Sequence, residues 1–98
     1  MFNNKLIDIP ETLKVGGIRY KVENVSGIVD RFETLGQVNY LKGTIQVDDS
    51  LCTDKRNQVI VHELTHAIFM EAGFEEQDED MINRIGNVLF QVLSDNKF

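Results

Sequence analysis

Apolar and polar residues change their period halfway along this chain. In "TLKVGGIRYKVENV" (12–25), Ile18, Tyr20 and Val22 alternate with Arg19, Lys21 and Glu23, the period of a strand with one wet face. β-Branched and aromatic residues flank Gly16-Gly17, a two-residue hairpin signal. "GQVNYLKGTIQVDD" (36–49) repeats the pattern, with Leu41-Lys42-Gly43 as the turn between "QVNY" and "TIQV". The stretch 26–35 carries Ile28, Val29 and Phe32 and fits a loop or a single helical turn.

From Thr53 onward the period is helical. Val59, His62, Glu63, His66 and Met70 share one face by the i, i+3, i+4, i+7 rule, while Ile60, Val61, Leu64, Ala67 and Ile68 line the adjoining faces. Such a helix is buried nearly all round. Ser50 or Thr53 suits its N-cap, and Gly73 suits the residue just past its end. A second helix begins near Asp78, carries Ile82, Ile85, Leu89 and Leu93 at helical spacing, and ends before "DNKF". The pattern predicts an α+β fold: a small antiparallel sheet of about three to four short strands, then two helices.

Length and composition narrow this without changing it. A chain of 98 residues has room for one hydrophobic core, so residues 1–98 read as one domain. Hydrophobic residues make up 42% and charged residues 27%, values of an ordinary globular chain. The formal net charge of −6, with no basic stripe, argues against nucleic acid or an anionic membrane as the main partner. Cys52 is the single cysteine, so no intramolecular disulfide can form. It reads as a small, half-buried side chain. "MFNNKLIDIP" lacks the apolar run of a signal peptide, and no stretch approaches the roughly 18 apolar residues of a membrane span. A cytoplasmic protein is expected.

Candidate chemistry concentrates in "VHELTHA" (61–67). His62, Glu63 and His66 have the H-E-x-x-H spacing. One helical turn sets His62 and His66 parallel, so both can reach one Zn²⁺ ion. Glu63 points elsewhere and can flank that ion as a general base for a water molecule. Chance produces such short motifs. Here, however, the chain has two histidines, both in the motif, on an otherwise apolar helix where uncompensated polar groups are costly. A catalytic zinc site normally has three protein ligands. The longer pattern H-E-x-x-H-x-x-G-x-x-H is excluded, because Phe69 and Ala72 occupy its Gly and last His positions. The third ligand should then be a carboxylate, and "EEQDED" (75–80) is its natural source, although acids at a helix start also serve the macrodipole. Gly16-Gly17 is not a phosphate loop, since no helix follows it. Tyr20 and Tyr40 read first as cross-strand packing residues. The alternative for Tyr40 is a place in the cleft, donating to a developing oxyanion.

"GQVNY", "TIQVDDSL", "RNQVIVHELTHAIF" and the closing "VLFQVLSDN" together resemble the small phage-borne members of the ImmA/IrrE-like metallopeptidase family, over roughly residues 12–96. The resemblance implies a minimal zinc-peptidase fold in a bacterial cytoplasm. It makes His62 and His66 zinc ligands and Glu63 the base. It also implies a protein substrate such as a phage or mobile-element repressor. The family's E-x-x-A-N pattern falls on "NRIGN" (83–87), so Asn83 stands where the ligand Glu is expected.

Among the acids, Asp80 projects away from a buried face centred on Ile82, Ile85 and Leu89, at about 100° per residue. Asp78 is placed to cap the helix. Glu79 flanks the buried face one turn before Asn83, and its longer side chain can span that turn. Glu79 is the expected third ligand and Asp78 the second choice, with Glu75 and Glu76 as loop alternatives. The strand "TIQVD" (44–48) is expected to present a free edge beside the metal cleft for an extended peptide. The reading is a zinc metallopeptidase. Its alternative is a metal-stabilised phage protein that binds a regulator without cutting it. A structural phage component would be marked by large oligomers. So small a chain has little surface for a deep specificity cleft, which points to a partner or companion domain for recognition.

Overall fold

The computed structural model describes residues 9–97. The amino-terminal segment read for a leader lies mainly outside them. Two strands, β1 (Thr12–Val15) and β2 (Ile18–Val25), form the first hairpin. Gly16 and Gly17 both take positive φ, 58° and 86°, as a two-residue turn matched to strand twist requires. The segment left open by the sequence holds a short helix, α1 (Ile28–Phe32), whose first turn is tied to the sheet where the Val29 N–H donates to Asp48 at 2.9 Å. Then come β3 (Gly36–Asn39), β4 (Thr44–Asp48) and two long helices, α2 (Thr53–Glu71) and α3 (Glu79–Asp95).

The α+β class is as expected, but the sheet is mixed. Its order is β1-β2-β4-β3, and β4 runs parallel to β2, with Val22 opposite Ile45 and Asn24 opposite Val47. The all-antiparallel sheet expected from two hairpins is therefore corrected at the seam between them. α1 and β3 lie between β2 and β4 in the chain, long enough for the crossover that a parallel pair needs. Burial explains the choice: Ile45 and Val47 are fully buried, which suits a central strand, whereas Gln37 and Val38 of β3 are only half-buried. It follows that β4 is paired on both sides and has no free edge. The expectation for "TIQVD" is overturned, and the edge on that side of the sheet is β3.

One face of the sheet meets α2. Tyr20 and Val22 of β2, Ile45 and Val47 of β4, and Val59, Ile60 and Ala67 of α2 form the core. The Tyr20 hydroxyl donates to Glu71 Oε2 at 2.7 Å, tying the sheet to the end of α2. Helix α2 ends as expected, with Gly73 at φ 98° just past its C-cap Ala72. Its N-cap is Cys52, not Ser50 or Thr53, and that cysteine is exposed, not half-buried.

Helix α3 packs on α2 along Ile82 and Gly86, its two buried residues, while Ile85 is 43% exposed. The buried face lies one residue round from the one the apolar pattern suggested. Gly86 causes the shift. A Cβ there would stand 3.2 Å from Thr65 Oγ1 and 3.7 Å from His62 Cα, so the missing side chain lets the helices approach closely. Among the described residues no helix is long and apolar enough to cross a membrane.

Candidate metal centre

Helix α2 sets His62 and His66 on one side, their rings edge to face with centroids 5.0 Å apart. The turn after Gly73 brings the start of α3 back across these rings. Glu79, the first residue of α3, lies with Oε1 3.0 Å from His62 Nε2 and Oε2 3.3 Å from His66 Nε2. One ligand atom from each of His62, His66 and Glu79 lies within 4.8 Å of the others, a group that could hold a metal ion. Tetrahedral ligands at zinc–ligand distances near ~2.1 Å stand about 3.4 Å apart, so small side-chain rotations would close the set.

The chemistry of this donor set fits a cation. The His66 Nδ1 atom faces the Gln77 side-chain oxygen at 2.6 Å, and its Nε2 faces a carboxylate oxygen. With Nδ1 donating to Gln77, lone pairs on Nε2 and Glu79 oppose one another unless a proton or a metal ion lies between them. A single metal ion could satisfy all three residues at once.

The other acids have different employment. Asp78 caps α3, accepting from Asp80 N at 2.9 Å and Met81 N at 3.5 Å, so its short carboxylate is committed to the helix terminus. Asp80 pairs with Arg84 at 3.1 Å on the surface. Glu75 and Glu76 are exposed and do not join the donor group. Asn83, at the family's ligand position, is one turn too far along α3. It lines the neighbouring pocket beside His62 and Glu63.

Glu63 is 8% exposed and borders the same cleft. Burial pushes its carboxyl up to about 7, an effect opposed by His66 and reinforced by Glu79. Such a group can take and release a proton near neutrality.

Across from the helix, the edge strand β3 contributes Gly36, Gln37 and Val38, and Tyr40 follows just after it. Tyr40 therefore faces the cleft, the less favoured of its two sequence readings. Burial pushes its phenol up, a hydrogen bond with Gln77 pulls it down, and Glu63 and Glu79 add to the rise. It stays protonated and able to donate. Tyr20, by contrast, is a core residue, as read from the strand pattern.

Sequence reasoning missed Gln77. The one available signal was that it is the only uncharged residue in "EEQDED", directly before the capping aspartate. Compared with known proteins, the chain matches no family model, no curated protein and no solved structure.

Proposed function

We propose that this protein is a minimal zinc-dependent peptidase, similar in plan to the small phage-type ImmA/IrrE-like enzymes, acting on a regulatory protein such as a repressor. The observation that carries the reading is the convergence of His62, His66 and Glu79 beside a buried Glu63. Two imidazoles and one carboxylate are a ligand set typical of catalytic zinc. A bound zinc ion supplies Lewis-acid polarisation and makes water acidic enough to lose a proton near neutral pH.

The chain's own residues account for the rest. Glu63 accepts the proton of the attacking water and passes it to the departing amine, a role open to a buried carboxyl at the border of the cleft. The Tyr40 phenol donates a hydrogen bond to the oxygen of the attacked carbonyl. Among the described residues β3 is the edge of the sheet and borders the cleft, where an extended peptide adds as a further strand. Strand addition reads backbone more than side chains. On this reading, selection of one substrate falls largely to a companion domain or partner.

The test joins metal and turnover. Protein purified without added zinc is assayed for metal content, and the zinc-loaded form is incubated with a proteome-derived peptide library read by mass spectrometry. Stoichiometric zinc with cleavage lost in Glu63→Gln is the expected result. Zinc without cleavage would instead favour a metal-stabilised binding module. Neither metal nor cleavage overturns both.

A further inference from the structure

Gln77 sits in the turn between α2 and α3, immediately before the capping residue Asp78. Its side-chain nitrogen donates to two backbone carbonyls, Phe74 O at 3.1 Å and His66 O at 3.4 Å. Those two acceptors define which end of the amide is nitrogen. A flipped amide would set its oxygen against both carbonyl oxygens. The oxygen therefore faces His66 Nδ1, at 2.6 Å, and an oxygen there can only accept. The proton of this hydrogen bond belongs to His66 Nδ1.

We infer that Gln77 is a positioning residue whose amide oxygen holds His66 as the Nδ1–H tautomer, leaving the Nε2 lone pair directed at Glu79 and the shared ligand position. An imidazole free to exchange tautomers presents a protonated Nε2 for much of the time and must be rearranged before it can bind a metal. A ligand histidine held through its other nitrogen avoids that cost and keeps its ring orientation. One amide thus joins the helix of the two histidines and the turn carrying the third ligand. The value of this hold for metal binding rests on the proposed zinc reading, but the tautomer itself does not.

The experiment separates the two. Side-chain ¹⁵N NMR of the histidines is recorded on the metal-free full chain at alkaline pH. The chain has only two histidines, and the spectrum of His62→Gln assigns His66. The expected state is a protonated Nδ1 and a bare Nε2 at His66. Gln77→Leu should mix the tautomers and weaken zinc binding by roughly 10- to 100-fold, the usual cost of removing an outer-sphere partner. Gln77→Glu keeps an acceptor for Nδ1–H but gives up the donations to the two carbonyls. It should retain the tautomer and recover zinc affinity even if its melting temperature falls.

An Nε2–H tautomer in the wild-type protein overturns the inference. So does a Gln77→Leu protein whose thermal stability drops while tautomer and zinc affinity stay unchanged, since that is a structural role alone. Should Gln77→Leu fail to fold, the wild-type spectrum and Gln77→Glu still decide. A wild-type protein that binds no zinc overturns the metal reading, while the tautomer measured in the same sample decides Gln77 separately.

Discussion

His62 Nε2 and Glu79 Oε1 lie 3.0 Å apart although they stand 17 positions from each other in the chain. The turn after Gly73 reverses the backbone, Asp78 starts α3, and Gly86 lets α3 lie close against α2. Glu79 then falls where its carboxylate spans both imidazoles. The candidate metal site is thus a product of helix docking, and on the proposed reading anything that loosens α3 from α2 should weaken metal binding.

The first prediction follows from that geometry. Glu79→Gln should lower zinc affinity by at least roughly 10²-fold, since a direct ligand contributes more than the outer-sphere partners worth 10- to 100-fold. Asp78→Asn and Asn83→Ala should change it little. Saturating zinc should raise the wild-type thermal midpoint, with about 4 kcal/mol of added stability at free zinc 1,000-fold above the dissociation constant. Calorimetric titration and melting with and without chelator check this. Unchanged binding in Glu79→Gln would retire the assignment.

Glu63 borders the site without being a ligand. Glu63→Gln should keep zinc and the fold yet slow peptide hydrolysis by roughly 10²-fold or more, the usual contribution of a general base. Turnover of any peptide cleaved by the wild type, measured beside metal content, provides the comparison. Wild-type turnover in the variant would remove Glu63 from the chemistry.

Glu63 should also make the metal-free fold sensitive to pH. Its folded carboxyl is raised from 4.5 to about 7 by burial, so the folded state holds a proton that the unfolded chain releases. The associated stability is fully present below 4.5 and is lost as pH rises through about 7. The size is on the order of 3 kcal/mol, at 1.36 kcal/mol per pKa unit. Denaturant melts of apo wild type across this window should show the decline, and Glu63→Gln should flatten it. Parallel curves for the two proteins would contradict the shift.

Gly36 provides a purely steric prediction. A Cβ there would stand 2.7 Å from Val59 Cγ1 and 2.9 Å from the backbone oxygen of Gln46. The carbonyl belongs to the neighbouring strand and cannot step aside as a side-chain tip can. Gly36→Ala should therefore destabilise the fold by roughly 1–3 kcal/mol through overpacking, and should displace β3 relative to the cleft. A melting temperature equal to wild type would mean that β3 yields at no cost.

Much of this architecture is written in short-range chemistry. Helical spacing sets His62 and His66 one turn apart with Glu63 beside them, Gly16-Gly17 marks a hairpin turn, and Asp78 suits an N-cap, because each depends on residues within a few positions. Partner choice is different, since it depends on what the whole chain buries. Only the folded chain makes β4 central and β3 the edge, because Ile45 and Val47 are fully buried. Only the docking of α3 through Gly86 turns its buried face toward Ile82 and carries Glu79 to the histidines. Gln77 and Tyr40 join the site for the same reason. An amide in an acidic turn and a tyrosine after an edge strand have no periodicity that marks them. Their roles arise when tertiary packing brings Gln77 within 2.6 Å of His66 Nδ1 and sets Tyr40 in the wall of the same cleft.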